Sequence, residues 1–400
     1  MTIYGEIMKS ERKYITITDW VVFFVSTLLI FLSSILLLIS GLIISLFNLL
    51  KKKPVLVSSI IIVSAILIIV VRWCVVPIPW NIKEDSVRVI IEEGDSMAKI
   101  VERLKEINLI DEGKWFLILS KLVGKDRHIQ AGRYDFDKGI TLYSIFNKLV
   151  TGKVTFIEVV IPEGLTIREI ARILKKEIGI DSAQFVKVAT DSQFIRGLHI
   201  SASNLEGYLF PNTYKLHWGM DPDRLVQTMV NECKKIFTPN LSERAKEINL
   251  SRHEVVTLGS MIEAEARDGE EREMISAVYH NRLKLGMLLQ CDPTVIYALW
   301  GEQGGTRRNL NRPDGRAFAQ PLLLQDLEID SPYNTYKYPG LPPGPICNPG
   351  KASLLAALSP ADVDYLYFVA KGDGTHVFSS TLDEHNRAKN KIKQARRNKP

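Results

Sequence analysis

Residues 255–297 read VVTLGSMIEAEARDGEEREMISAVYHNRLKLGMLLQCDPTVIY, a pattern that predicts two helices and a turn into a third segment. Apolar residues at helical spacing give the first helix one core-facing stripe. At about 100° per residue, Glu263 and Glu265 lie about 80° from this stripe, on opposite sides. A carboxyl group at such an edge is a candidate general acid, because partial desolvation raises its pKa. Periodicity does not choose between the two. The stripe consists of Val255, Leu258, Gly259, Ile262 and Ala266.

Glutamates beside an apolar stripe are usually solvated surface charges, so a surface position for Glu263 and Glu265 is the alternative to a catalytic role. Arg267, four residues after Glu263, suits an ordinary surface ion pair. The downstream sequence favours a site. Two runs, GMLLQCDPTVIY (286–297) and SPYNTYKYPGLPPGPICNPG (331–350), combine amides, hydroxyls, aromatic rings and rigid Pro/Gly turns. This combination is typical of a carbohydrate-binding cleft.

Two long apolar runs near the N-terminus predict membrane helices. The chain is 46% hydrophobic with a mean hydropathy of +0.03, and these two runs account for the high values. Residues 20–50 contain no charged residue, and neither do residues 54–71. A bilayer core requires about 20 apolar residues per helix. The second run reaches this length with its flanks at Trp73 and Trp80, which suit a membrane interface.

The basic turn Lys51–Lys53 between the runs predicts the topology. Positively charged loops stay on the cytoplasmic side, so a tight helical hairpin would put everything after Trp80 outside the cytoplasmic membrane. Lys9, Arg12 and Lys13 also favour the cytoplasmic side. If they dominate, only one run spans fully, and the number of spans stays open.

The net charge of +6 does not indicate nucleic-acid binding, because six basic residues lie in the last dozen positions. Such a tail is typical of a solvated or membrane-surface segment. Four cysteines without CxxC spacing give no disulfide framework. The sequence contains no metal-binding pattern, and we expect no cofactor. The basic residues are Lys389, Lys391, Lys393, Arg396, Arg397 and Lys399.

Residues 87–105 and 157–175 form an internal repeat at a constant offset of 70. Each copy alternates like a strand, turns at Glu-Gly and continues as a helix after a Ser96 or Thr166 cap. The pattern resembles LysM-like glycan-binding modules, and a purely structural scaffold is the alternative. The paired positions are Val89/Val159, Ile91/Ile161, Glu93/Glu163, Gly94/Gly164, Ile100/Ile170 and Leu104/Leu174.

Several segments agree in order and spacing with the YceG/MltG family of membrane-anchored endolytic murein transglycosylases. The chain resembles that family from about Val87 to Asn386. It departs from the family pattern at Ala264 and Cys291, in the long polar insertion 301–326, and in having two apolar runs. The matching segments are EGYLFPNTY (206–214), SMIEAEA (260–266), ER (271–272), NRLKLGMLLQCDPTVIY (281–297), SPYNTY (331–336), GLPPGPICNPG (340–350) and YLYFVAKGDGTHVFS (365–379).

The resemblance implies that Glu263 is the catalytic acid and that the substrate is peptidoglycan. The expected reaction cleaves MurNAc-β-1,4-GlcNAc bonds in nascent strands, leaves 1,6-anhydroMurNAc ends and terminates strand elongation. It also implies a position in the cytoplasmic membrane, with penicillin-binding-protein synthases as partners. Asn281, Asp292 and Thr294 are expected to hold the loop. The candidate glycan ligands are Gln290, Tyr333, Asn334, Tyr336 and His376.

Two rival functions remain. A muramidase-type hydrolase on the same substrate would need a second carboxylate, with Asp268, Glu270 or Asp292 as candidates. A membrane-tethered peptidoglycan-binding scaffold would need none.

The expected fold class is α+β: N-terminal membrane helices, a LysM-like repeat module and a mixed α/β catalytic domain. The expected boundaries are an N-terminal segment (1–19), a membrane helix (20–50), a basic loop (51–53), a second membrane helix or anchor (54–79), the repeat region (80–200), the catalytic domain (201–386) and a basic tail (387–400).

Overall fold

The computed structural model describes residues 17–79, 82–92, 94–111, 113–122, 124, 129–300 and 322–397. The chain divides into two compact units. The first comprises residues 1–79 with 139–144, and the second comprises residues 80–138 with 145–400. The predicted N-terminal segment lies outside the described residues up to residue 16.

The first unit contains the helices α1 (Ile17–Lys52) and α2 (Pro54–Val75). The predicted basic loop is shorter than expected, because only Lys53 lies between the helices. Proline at the first helical position explains the immediate restart of the helix, since its missing N–H has no intrahelical partner there anyway.

Helix α2 has the length and composition of a membrane anchor. Its 22 residues contain one charged residue, Arg72, and Val57 is its one buried residue. Among the described residues, α2 is the one helix long and apolar enough to cross a membrane, and α1 contributes a shorter apolar stretch, Phe31–Ser45. The predicted span at 20–50 is helical, and whether it crosses the membrane stays a prediction.

The first copy of the repeat forms a strand–helix–helix–strand unit in the second compact unit. Strands β1 (Ser86–Ile91) and β2 (Gly132–Asp137) pair antiparallel, with Val89 opposite Tyr134. Helices α3 (Met97–Glu106) and α4 (Lys114–Leu122) lie between them in sequence. The Ser96 side chain accepts a hydrogen bond from the backbone of Lys99, as the predicted cap requires.

The second copy also places helices between two paired strands, but it has three helices where the described residues of the first have two. After α5 (Leu142–Val150), strand β3 (Phe156–Ile161) pairs antiparallel with β4 (Asn212–His217). Thr166 and Glu169 form a reciprocal capping box at the first helix between these strands. The predicted boundary at residue 200 therefore crosses a sheet shared by both segments. The intervening helices are α6 (Ile167–Ile178), α7 (Ser182–Ala189) and α8 (Ser192–Gly197).

The central stretch forms helices as predicted, and α11 is its most buried element. Every residue of α11 from Val255 to Ile262 is buried, so the predicted one-sided stripe is a helix covered on both sides. Helix α14 packs on the predicted stripe so closely that a β-carbon on Gly259 would lie 2.9 Å from Cδ2 of Leu354. The 340–350 loop contacts the other side, where the Ile346 N–H donates to the Ser260 hydroxyl at 3.0 Å. The helices of this part are α9 (Pro222–Ile236), α10 (Pro239–Glu247), α11 (Arg252–Glu265), α12 (Arg272–Lys284), α13 (Asp292–Trp300) and α14 (Lys351–Leu358).

One hydrophobic core extends from Val159 of β3 to Leu358 of α14, so the second repeat copy and the central helices share it. The chain continues with the hairpin β5 (Tyr367–Ala370) and β6 (His376–Ser379), followed by α15 (Leu382–Arg397). The fold is thus mixed α/β, as predicted. Residues 387–397 of the predicted basic tail belong to α15, and residues 301–321 of the predicted insertion lie outside the described residues.

Candidate active site

Glu263 lies in the last turn of α11, where neighbouring elements hold its carboxylate. A capping box of Ser251 and Glu254 starts this helix, and Ala266 follows its last residue. The Glu263 side chain is 8% exposed. Its Oε2 accepts hydrogen bonds from the backbone N–H of Gly350 at 3.1 Å and from the hydroxyl of Ser353 at 2.7 Å.

Both donors belong to the N-terminal turn of α14, and the positive end of a helix stabilises a carboxylate. A cation supports the same group from α12. Nη2 of Arg272 lies 3.9 Å from Oε1 of Glu263, and Nε of Arg272 donates to the Ser353 hydroxyl at 3.0 Å. Glu263, Ser353 and Arg272 therefore form one connected charge network.

A second carboxyl group, Glu163, lies beside this network. A β-carbon on Gly350 would overlap the Glu163 carboxyl group, and one on Gly164 would lie 3.6 Å from Cγ of Glu263. Burial raises the pKa of Glu163, the charge of Glu263 raises it further, and Arg272 lowers it. The sequence alone does not single out Glu163 as a site residue. Its signal was the Glu-Gly step of the repeat, which reads as turn chemistry.

Asn348 fixes the loop that precedes Gly350. Its backbone pairs with the repeat: Gly164 donates to the Asn348 carbonyl at 2.9 Å, and the Asn348 N–H donates to Leu165 at 2.8 Å. Its side chain accepts from Leu209 N–H at 2.8 Å and donates to Leu165 O and to Oε1 of Glu206 at 3.0 Å. One buried amide thus joins the repeat turn, the 206–214 segment and the 340–350 loop.

Glu265 lies in different surroundings from Glu263. Burial, together with the negative charge of Asp292, raises the pKa of Glu265 to about 7. Burial raises the pKa of the neighbouring Cys291 thiol, and the charge of Glu265 raises it as well. The two glutamates that periodicity left equivalent thus lie in separate polar clusters.

Gln290 and Tyr336 lie in the Glu265 cluster. Gln290 is exposed and adopts a left-handed backbone with φ 52°, a conformation that is uncommon for a residue other than glycine. Its backbone N–H donates to Thr335 O at 3.1 Å, and its Oε1 accepts from Arg282 at 3.4 Å. The half-buried Tyr336 donates its hydroxyl to Asp292.

The other predicted glycan ligands are buried. The Tyr333 ring packs 4.9 Å from Tyr297, centroid to centroid. The Asn334 amide donates to the carbonyls of Leu327 and Ile329 at 2.9 and 2.8 Å, so it holds its own loop. Their glycan contact stays a prediction, and it requires these side chains to become accessible.

His376 joins the β5–β6 hairpin to the segment after α11. Its Nδ1 lies 2.7 Å from Oε2 of Glu271, and its backbone N–H donates to Oε1 at 2.9 Å. Beside this pair lies an open polar cleft of about 580 Å³. Glu263, Gln290 and His376 therefore belong to three separate clusters. The cleft is lined by Arg267, Asp268, Gly269, Gly372, Asp373, Gly374 and Thr375.

The residues predicted to hold the loop make contacts in different parts of the fold, and their loop-holding role stays a prediction. The Asn281 amide donates to the carbonyls of Val363 and Tyr365 at 2.8 and 3.0 Å. The Thr294 hydroxyl donates to Cys291 O at 2.7 Å.

A family model described as the YceG-like family matches residues 89–391. This chain belongs to the YceG-like family. It is 36% identical over 325 residues to a Bacillus subtilis protein named endolytic murein transglycosylase, covering 76% of this chain and 84% of the relative. A Streptococcus pneumoniae protein of the same name is 29% identical over 338 residues, covering 78% of this chain and 59% of the relative.

A solved structure supports the fold assignment. The crystal structure of a YceG-like protein from Listeria monocytogenes superposes with a TM-score of 0.52 at 32% identity, covering 76% of this chain and 98% of that protein.

Proposed function

We propose that this protein is an endolytic murein transglycosylase that uses Glu263 as its acid and base. The enzyme cleaves MurNAc-β-1,4-GlcNAc bonds within nascent glycan strands and thereby terminates their elongation. The observation that carries the proposal is the Glu263 carboxylate, 8% exposed and bound by Gly350 N–H and Ser353 O–H. Buried donors of this kind fix a catalytic carboxyl group before substrate arrives.

In the proposed reaction, Glu263 transfers its proton to the glycosidic oxygen as the bond to C1 of MurNAc breaks. The C6 hydroxyl of the same MurNAc attacks C1, and its proton passes to the Glu263 carboxylate. The products are a 1,6-anhydroMurNAc end and a free GlcNAc hydroxyl, and the enzyme regains its starting protonation state. No water is consumed, so one carboxyl group is sufficient and no cofactor is needed.

We further propose that the two repeat units, in which β1 and β2 or β3 and β4 flank helices, act as LysM-like glycan-binding modules. Gln290, with its exposed side chain, and the half-buried Tyr336 are offered as direct glycan ligands. The buried Tyr333, Asn334 and His376 are offered as residues that reach the substrate only after local rearrangement.

The apolar helix α2 supports a membrane anchor near the N-terminus. We propose that it places the second unit on the extracytoplasmic side of the cytoplasmic membrane, where peptidoglycan is assembled. Penicillin-binding-protein synthases are the proposed partners, because they produce the nascent strands that this reaction shortens.

A muramidase-type hydrolase is the second candidate, and one observation favours it. Glu163 brings a second carboxyl group to Gly350, next to Glu263. A hydrolase uses such a group to activate water or to attack C1. Its product is a reducing MurNAc end, which separates it from the lytic reaction.

Analysis of product ends tests the proposal. Full-length protein in detergent is incubated with un-crosslinked glycan strands, and the ends are identified by mass spectrometry. We expect anhydro ends with wild type and a rate at least about 100-fold lower with Glu263→Gln. The matched control is Glu273→Gln, which removes an exposed glutamate of α12 and should retain wild-type activity. Reducing ends would identify the hydrolase. Strand binding without cleavage by wild type would identify a non-enzymatic scaffold.

A further inference from the structure

The carboxyl groups of Glu163 and Glu263 approach Gly350 from two directions. Glu263 accepts the Gly350 N–H, and Glu163 occupies the space where a side chain of residue 350 would begin. Gly350 has an ordinary extended backbone, with φ −76° and ψ 170°. The backbone at this position would accept any residue, but a β-carbon here would displace the Glu163 carboxyl group.

The repeat holds the backbone of Glu163 beside Gly350, whereas the Glu163 side chain is exposed. Strand β3 ends at Ile161, and the turn that follows is paired with the 340–350 loop through Leu165 and Asn348. Gly164 completes the turn with φ 78°, a left-handed conformation that favours glycine. Moving Glu163 away from Gly350 by backbone motion would break this pairing.

Two charged groups face Glu163 from the elements packed against it: Glu263 of α11 and Arg272 of α12. Cys347, on the neighbouring loop, is a buried thiol whose pKa is raised by burial and by the charge of Glu263, so it is neutral near pH 7. Arg272 offsets part of the repulsion between the carboxylates. The arrangement is thus a carboxyl pair with one cation.

From this geometry, and resting on the proposed function, we infer that Glu163 is a positioning residue whose carboxyl group keeps one proton on the Glu163–Glu263 pair. Two neighbouring carboxylates disfavour simultaneous ionisation, and such a pair loses its protons in two coupled steps. The lytic reaction needs that single proton, because Glu263 must protonate the leaving oxygen. The proton returns from the C6 hydroxyl of MurNAc, so the pair ends each cycle with the charge it had at the start.

The test is the pH dependence of strand cleavage by the full-length protein in detergent between pH 5 and pH 8. Glu163→Gln removes the like charge beside Glu263, so the alkaline fall in rate moves to lower pH. We expect a rate within twofold of wild type at pH 5 and about tenfold lower at pH 8, as a displacement of one pH unit produces. Glu163→Asp retains a carboxyl group and should recover more than half of the displacement.

Two further variants separate charge from folding. Gly350→Ala leaves Glu163 in the sequence but pushes its carboxyl group away, and it should displace the profile in the same direction. Glu158→Gln removes a glutamate of β3, the strand before Glu163. The Glu158 side chain pairs with Lys215 at the surface, and the rate–pH profile of this variant should superpose on that of wild type. Thermal unfolding of each variant identifies any that fails to fold. If Glu163→Gln fails to fold, the rate–pH profiles of Glu163→Asp and Gly350→Ala test the inference in its place.

A Glu163→Gln rate–pH profile that superposes on that of wild type would overturn the inference. A rate that falls by the same factor at every pH would also overturn it. Product ends are recorded in the same reactions. Anhydro ends with an undisplaced profile would refute the role of Glu163 alone. Reducing ends from wild type would refute the proposed function, and with it the inference built on it.

Discussion

At the scale of single residues, Glu206 is a buried glutamate whose side chain can ionise. Burial raises its pKa to about 8, although Ile167 N–H donates to it at 3.0 Å. The folded protein therefore keeps this proton up to about pH 8, whereas the unfolded chain loses it near pH 4.5. Its contribution to stability is complete below pH 4.5 and is lost as the pH rises to 8.

Glu206→Gln should flatten this pH dependence, because an amide cannot ionise and can still accept from Ile167 N–H. Wild-type stability should fall by on the order of 1 kcal/mol per pH unit more than that of the variant between pH 5 and pH 8. Denaturant unfolding at several pH values measures the difference. Glu243→Gln, at an exposed site, is the control. Parallel stability curves would show that Glu206 is ionised in the folded state.

Ser353→Ala tests the hydroxyl that connects Glu263 and Arg272. Removing a hydrogen bond to a charged group costs about 1.5–3 kcal/mol, so the cleavage rate should fall about tenfold or more. Ser276→Ala is the matched control, because Ser276 is equally buried but donates to Ala356 O at 2.7 Å. It should lower the melting temperature and leave the rate unchanged. Equal rates in both variants would remove Ser353 from the site.

At the scale of elements, the α11–α14 contact depends on Gly259. Gly259→Ala would place a methyl group 2.9 Å from Leu354 Cδ2, and overpacking of this kind costs about 1–3 kcal/mol. Leu354→Ala removes the obstructing side chain, so the cost of Gly259→Ala should shrink in that background. A double-mutant cycle of unfolding free energies measures this coupling. Gly197→Ala has open space and should be neutral.

The sequence predicted the elements more completely than the site. Local signals were sufficient for the repeat strands, for the Ser96 and Thr166 caps and for the helix carrying Glu263. These features depend on neighbouring residues in the chain. The partners of Glu263 could not be predicted, because Glu163, Arg272 and Ser353 lie at sequence separations that only the fold connects.

Periodicity also failed for α11 for a physical reason. It assumes one buried and one solvated side, and the 340–350 loop contacts the side that was expected to be solvated, through Ile346 and Cys347 at Ser260. The long-range pairing of Asn348 with Leu165 carries no local pattern at all, since an Asn-Pro-Gly step reads as a turn.

At the scale of the whole molecule, the proposed membrane anchor predicts opposite accessibility at the two ends of α2. Lys51→Cys and Lys83→Cys, both exposed, are introduced into a Cys74→Ser background. In intact cells, a membrane-impermeant maleimide should label Lys83→Cys, and Lys51→Cys should react only after lysis. The α2 anchor with its basic flank on the cytoplasmic side explains this result. Labelling of Lys51→Cys alone in intact cells would reverse the topology.

The pairing of Asn348 with the repeat turn has a consequence for the order in which the protein matures. Glu163 leaves the ribosome 190 residues before Ser353, and the Glu163–Glu263 pair has no fixed geometry until Ser353 has been synthesised. Every shorter nascent chain lacks the α14 donors and the Asn348 link. The proposed catalytic centre is therefore a late product of synthesis, and a nascent chain should be inert toward peptidoglycan until α14 has been synthesised.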